Sequence, residues 1–237
     1  MFVLKNGAAR CYDFSVSPIR GKFITFEGLD GCGKSTQIEK LADALRAQKL
    51  PVVVTREPGG TPIGEKIRKL LLDGKTTGLS PFAELALMFA ARAQHIKEVI
   101  QPALNGGHIV LCDRFTDSSE AYQGGGRKLG SEPVLELHKI LCGNFQPDLT
   151  ILMDSDVATS VQRARRRNRD QGPRKNDENR FEQENRAFFE RVRSVYLATA
   201  ERESHRVVVI DARGTPEETH RRIMEVVRRK LKLAKPA

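Results

Sequence analysis

Tryptophan is absent from the 237 residues, tyrosine occurs three times, and aromatic residues together make up 6% of the chain. A protein that holds single-stranded nucleic acid by stacking needs aromatics interleaved with its basic residues. The arginine clusters here have none, which excludes that platform. Cysteine is scarce as well. Cys11, Cys32, Cys112 and Cys142 show no paired metal-binding spacing, and free thiols in a reducing cytoplasm are the expected state. No apolar run approaches the ~20 residues of a membrane span. Residues 1–20 hold Lys5 and Arg10 but no apolar segment long enough for a signal peptide. None of the five histidines stands at ligand spacing, so all are read as structural or solvated, and no internal repeat is apparent.

Positive charge is in excess, at a formal +10. Residues 1–161 are almost neutral, with 19 Lys+Arg against 18 Asp+Glu, whereas residues 162–237 carry 21 against 12. The excess falls on an arginine cluster at 163–180 and on a tail at 221–235. Without aromatics, polyphosphate binding explains the first better than nucleic acid does. The tail reads as a solvated helix face. The length suits one α/β domain with small insertions.

The most informative stretch runs Glu27-Gly28-Leu29-Asp30-Gly31-Cys32-Gly33-Lys34-Ser35-Thr36. It follows an apolar run, Phe23-Ile24-Thr25-Phe26, and precedes Ile38, Leu41, Ala42 and Leu45 at helical spacing. Strand, glycine-rich turn and helix start are the context a phosphate-binding loop requires. Glycines let backbone N–H groups close around phosphate oxygens, and the helix N-terminus adds partial positive charge. Lys34 can reach the β- and γ-phosphates, and the Ser35 hydroxyl can ligate magnesium. A chance glycine turn before a surface helix is the plainer alternative, and the context argues against it.

Four further apolar runs, at 51–55, 108–113, 149–154 and 206–211, lack clean alternation, as strands covered on both faces do. Helical patterns at 37–48, 63–72, 82–104, 133–142, 157–169, 180–203 and 216–233 separate them. This alternation predicts a doubly wound α/β sheet with its site at the carboxyl ends of the strands. The polar stretch 169–179, which contains Gly172 and Pro173, predicts a mobile connection between helices and a candidate lid.

Other motifs cluster at strand ends. Asp113-Arg114 closes the third strand, where an acid beside a phosphate loop positions magnesium or its waters. A strand-end salt bridge is the alternative. Thr55-Arg56-Glu57-Pro58-Gly59-Gly60-Thr61 fixes an irregular turn that holds Arg56 towards the crevice. Tyr122-Gln123 before Gly124-Gly125-Gly126-Arg127 can shape and read a planar ligand, or form an ordinary flexible surface loop. Arg92 lies on an otherwise apolar helix and needs a partner.

From residue 21 onward these motifs, in order FEGLDGCGKST, TREPGGT, LLLDG, AARAQH, DR followed by AYQGGGR, PDLTILMD and RFE, closely resemble those of the bacterial thymidylate kinases. These are dTMP kinases among the phosphate-loop nucleoside monophosphate kinases. The resemblance implies a five-stranded parallel sheet, a homodimer in the cytoplasm, and γ-phosphoryl transfer from ATP to dTMP with Mg²⁺, in dTTP synthesis. It implies that residues 28–36 hold ATP, with Lys34 catalytic, and that Ser35 and Asp113 serve the metal. It places Asp30 near the sugar and acceptor phosphate, Arg56 and Arg114 on the dTMP phosphate, and Arg92 and Gln123 on thymine. Tyr122 would crowd the 2′ position, and Ser119 and Asp113 would line the substrate.

Gly31 stands where one subgroup of the family has an arginine, so the lid would supply the cations, from Arg163, Arg165, Arg167 and Arg169. The family's thymine-stacking aromatic falls on Met88, with Phe89 one residue and ~100° of helix later. Both are taken as substrate contacts. Residues 1–20 extend beyond the usual start and are expected to be a poorly ordered arm. Residues 21–237 would form one domain with a lid at about 165–180. Two competing readings are a kinase for another nucleoside monophosphate or deoxynucleoside, and a phosphate-loop ATPase that binds nucleic acid through the basic C-terminal third. Steep salt dependence would mark the latter. Neither membrane nor nucleic acid is expected as a partner.

Overall fold

In the computed structural model residues 21–170 and 180–231 are described; the expected arm at 1–20 and most of the expected lid lie outside them. All five expected strands form: β1 Lys22–Glu27, β2 Val52–Arg56, β3 Ile109–Asp113, β4 Leu149–Asp154 and β5 Val207–Asp211. They pair in parallel in the order β2-β3-β1-β4-β5. The helices are α1 Lys34–Ala47, α2 Pro62–Leu72, α3 Pro81–His95, α4 Gln101–Asn105, α5 Thr116–Ser119, α6 Glu132–Cys142, α7 Val157–Asp170, α8 Arg186–Arg202 and α9 Pro216–Leu231.

The central strands bury both faces, which is why their sequences do not alternate. Ile24 and Phe26 of β1 pack with Leu41 and Leu45 of α1 and with Ile223 and Val227 of α9. Phe23 points the other way, into a cluster with Leu85, Leu104, Phe115 and Val134. The outer strands β2 and β5 leave Val54 and Val209 more than two-fifths exposed. Side-chain caps begin several helices. Thr61 accepts from the N–H of Gly64 before α2, Ser80 from that of Ala83 before α3, and Asn185 from that of Phe188 before α8.

Connectivity locates the crevice. The chain leaves β1 towards β2 on one side and leaves β3 towards β4 on the other. The carboxyl ends of β1 and β3 therefore flank the switch point where open α/β sheets bind ligands. Register puts Phe26 of β1 and Arg56 of β2 both opposite Asp113.

Two expectations need correction, and one alternative falls away. The helix read as 82–104 is interrupted by a π turn at Ile96–Ile100, ahead of Pro102, which has no N–H to continue the ladder. The helix read as 180–203 begins only at Arg186, after the Asn185 cap. The Tyr122–Gly126 stretch is not a surface loop but part of a buried π turn, Glu120–Gly126, that continues α5. Its glycines cost helix propensity but let α8 approach. A Cβ at Gly125 would stand 2.6 Å from Val195 Cγ2, and one at Gly126 2.5 Å from Phe188 Cε2.

Candidate active site

The loop after β1 is shaped by glycines in the left-handed region, with φ of +131° at Gly28, +82° at Gly31 and +100° at Gly33. Gly31 has a second constraint: a Cβ there would lie 2.1 Å from the Ser160 carbonyl oxygen and 2.9 Å from the Ala164 nitrogen. Helix α7 thus rests directly on the loop, and only glycine permits that approach. Arg163, one residue before Ala164, is thereby brought to the cavity beside the loop. The Lys34 ammonium crosses the loop and donates to the carbonyls of Gly28 at 3.1 Å and Leu29 at 3.0 Å. Ser35 and Thr36 are exposed at the start of α1 and line the same cavity. Leu29 and Cys32 bury their side chains on the far side, so they offer the loop backbone only.

The cavity, of about 800 Å³, continues from the loop across the ends of β3 and β2. Asp113 lines it, and its Oδ1 is buried without a hydrogen-bond partner. Arg114 follows in the left-handed region at φ +74°, with its N–H donating to the Phe26 carbonyl at 2.9 Å. Its guanidinium is fully engaged on one side. Nη1 donates to Ser118 at 2.9 Å and Tyr196 at 3.0 Å, and Nη2 to Asp30 at 2.9 Å and the Tyr122 hydroxyl at 3.1 Å. Burial opposes its charge, but Asp30 and the tyrosines outweigh burial and raise its pKa well above normal. Arg114 is therefore a fixed cation with a fixed orientation. Arg56, half exposed, pairs through Nη2 with Glu65 of α2 at 3.0 Å. Glu65 also takes the N–H of Gly60 at 3.0 Å and so braces the turn after β2.

Beneath Arg114 lies Glu27, with no exposed surface. It accepts from the N–H of Phe115 at 2.7 Å, the hydroxyl of Tyr196 at 2.9 Å, and the hydroxyl of Ser118. Burial, helped by nearby Asp117, pushes its pKa up to about 7. Sequence reasoning passed over both Glu27 and Tyr196. An acid at the end of an otherwise apolar strand was the available signal.

The far end of the cavity is built by α3 and the π turn. Arg92 is 2% exposed. Its Nε donates to Glu57 at 2.7 Å, and its Nη2 to the Phe115 carbonyl and to Ser119, both at 3.0 Å. Its Nη1 is buried and unpartnered. Glu57 also receives His95 Nδ1 at 2.9 Å. Burial alone would raise the Glu57 pKa, but Arg92 and His95 overcome it and lower it. Met88, Ser119, Tyr122 and Gln123 line the cavity. Phe89 does not. It is fully buried, with the Arg92 guanidinium 4.6 Å above its ring, so its face is used on Arg92. This corrects its reading as a substrate contact.

Most of the expected residues thus meet in one space: Asp30, Gly31, Gly33, Lys34, Ser35, Thr36, Arg56, Met88, Arg92, Asp113, Arg114, Ser119, Tyr122, Gln123 and Arg163. Arg165 is held elsewhere, donating to the carbonyls of Glu182 at 3.1 Å and Glu184 at 3.2 Å. The side chains of Arg167 and Arg169 lie outside the described residues. Phe181 and Glu182, of the RFE motif, also line the cavity, as do Phe115 and Ser118, which no motif announces.

Known proteins resemble this chain in sequence and in fold. A family model described as thymidylate kinase matches residues 26–223. The thymidylate kinase of Pelobacter propionicus is 49% identical over 208 residues, covering 87% of this chain and 94% of that protein. That of Pseudomonas syringae pv. tomato is 52% identical over 192 residues, covering 81% and 88%. The crystal structure of thymidylate kinase from Ehrlichia chaffeensis superposes with a TM-score of 0.70 at 32% identity, over 87% of this chain and 98% of that one. A phosphate loop opening onto the Arg92 and Gln123 pocket, and a family match that runs from the end of β1 into α9, have one reading: the chain belongs to the thymidylate kinase family.

Proposed function

We propose that this chain transfers the γ-phosphoryl of ATP to dTMP, giving dTDP and ADP. The observation that carries the reading is one cavity with a phosphate loop at one end and a polar pocket lined by Arg92 and Gln123 at the other, with Arg56 and Arg114 between. ATP lies with its phosphates on residues 28–36, cradled by loop N–H groups and Lys34. The dTMP base lies against Met88, Arg92 and Gln123, and its phosphate meets Arg56 and Arg114. A phosphomonoester is largely dianionic at neutral pH, so the acceptor oxygen needs no general base, and no histidine lines the cavity among the described residues.

Catalysis then rests on in-line positioning and charge neutralisation. Lys34 and Arg163 meet the charge that spreads over the moving group. Arg114 cannot swing away, because Asp30, Ser118, Tyr122 and Tyr196 all hold it, and it keeps two phosphates' worth of negative charge tolerable at close range. Tyr122, 3.3 Å from Asp30 Oδ2, stands where a 2′-hydroxyl would enter. Ser35 and Asp113 fit magnesium: both line the cavity, one with a hydroxyl at the helix start and the other with an Oδ1 that has no partner. When bound, Mg²⁺ supplies further neutralisation of the β- and γ-phosphate oxygens. Among the described residues no group of three or more His, Cys, Asp and Glu gathers for a metal.

We also infer a homodimer, supported by apolar side chains left open on α3 and α6, Phe82 at 60% and Ile140 at 68%. A cytoplasmic setting is supported by three buried free thiols, Cys32, Cys112 and Cys142, and no helix among the described residues is long and apolar enough to cross a membrane. ADP release measured with dTMP, dUMP, UMP, CMP and deoxythymidine as acceptors tests the function. A clear preference for dTMP is expected; monophosphate-independent ATP turnover with salt-steep DNA affinity would overturn it.

A further inference from the structure

Glu84, in the first turn of α3, has no exposed surface and takes no part in the chemistry above. It accepts from Gln123 Nε2 at 2.8 Å and from Arg127 Nε at 3.2 Å, and pairs with Arg180 Nη2 at 2.8 Å. A carboxylate has no proton to give. The end of the Gln123 amide that faces it must therefore be the NH₂, whatever the ligand. The amide is planar and Gln123 lines the cavity, so its carbonyl oxygen is the end turned to the base. Arg92, two turns further along α3, brings its unpartnered Nη1 to the same cavity. The pocket thus offers one acceptor and one donor.

We propose that Glu84 is a positioning residue that locks the Gln123 amide with its oxygen inward and thereby sets base selectivity. The inference rests on the dTMP kinase reading and deepens it. An acceptor and a donor match the N3–H and C4=O of a 4-oxo pyrimidine. A 4-amino pyrimidine presents a lone pair at N3 and an NH₂ at C4, which places acceptor against acceptor and donor against donor. Without Glu84 the amide can turn over and offer its NH₂ instead. The two arginines that close the same carboxylate come from the end of the π turn, Arg127, and from the start of the 180–185 segment, Arg180, so the lock is braced from both sides.

The test is the set of kcat and KM values for dTMP, dUMP and dCMP with ATP, in the wild-type protein, Glu84→Gln and Glu84→Asp. Glutamine supplies both a donor and an acceptor to Gln123 and frees its orientation. Aspartate keeps the charge for Arg127 and Arg180 but withdraws the acceptor by one methylene. In both variants the dTMP-to-dCMP ratio of kcat/KM should fall by about tenfold or more, mainly through a higher KM for dTMP, with kcat within about threefold. The dTMP-to-dUMP ratio should stay put, because these bases share the edge and differ only in the methyl group. An unchanged dTMP-to-dCMP ratio in a folded variant, or an equal loss on all three substrates, would show that Glu84 only packs. Should the glutamine variant fail to fold, the charge-conserving aspartate variant decides alone. Wild-type protein inactive on all three would remove the dTMP kinase reading itself and this inference with it, whereas an active wild type with indifferent variants removes only the inference.

Discussion

Replacing Glu27 by glutamine should leave stability nearly unchanged at about pH 5 and raise it at about pH 8. The Glu27 carboxyl is fully buried, with its pKa pushed from 4.5 to about 7 by burial and by Asp117, while the unfolded chain keeps a value near 4.5. Between these two values the folded state holds a proton that the unfolded state has released. Stability present below the unfolded pKa is therefore lost as pH rises through the folded one. At 1.36 kcal/mol per pKa unit the loss comes to about 3 kcal/mol, most of it between about pH 5 and 8. Glutamine imitates the protonated acid. Its carbonyl keeps the Phe115 N–H, and its NH₂ donates to the Ser118 and Tyr196 hydroxyls, which turn to accept. Urea unfolding of both proteins across this range gives the comparison, with the wild type falling relative to the variant. Parallel curves, within about 0.5 kcal/mol at every pH, would refute a raised Glu27 pKa and the protonated acid beneath Arg114.

Four further outcomes are expected at the cavity. Lys34→Ala should lower turnover by ~10²-fold or more with the fold intact by circular dichroism, and near-wild-type turnover would remove Lys34 from the mechanism. Tyr122→Phe should keep the preference for deoxyribose and Tyr122→Ala should raise relative activity on the ribonucleotide, read as the ratio of dTMP to ribo-TMP turnover; a constant ratio in the alanine variant would end the steric account. Arg163→Ala should cost turnover up to ~10³-fold, by analogy with arginine fingers, and Arg165→Ala far less, since Arg165 is spent on the carbonyls of Glu182 and Glu184. Gly31→Ala should reproduce the Arg163→Ala defect, because its Cβ would push α7 off the loop; equal turnover in all of these variants would make the cluster a solvated face.

Features that repeat along the chain were legible in its sequence. Five apolar strands and the glycine-rich turn at 28–33 were readable because burial, on both faces only in β1, β3 and β4, and positive φ each leave a residue-level mark. Site residues tied to strand ends, Arg56, Asp113 and Arg114, were readable for the same reason. What escaped depends on tertiary contact. Gly124, Gly125 and Gly126 signal a loop by propensity, yet they sit in a π turn because α8 needs the space at Gly125 and Gly126, and the Gly130 carbonyl needs it at Gly124. Phe89 and Met88 differ by one position on a helix, and only the packing of Arg92 over Phe89 separates the buried side chain from the cavity-lining one. Glu84, Glu27 and Tyr196 act through other side chains, and no local spacing announces such a role.

The most direct test of the central claim follows the γ-phosphoryl itself. With ATP labelled at the γ-phosphate, the purified protein, Mg²⁺ and dTMP, the label should pass to the β-position of dTDP, with one ADP formed for each dTDP. Label released as inorganic phosphate at a rate indifferent to dTMP, with no labelled dTDP, would contradict it.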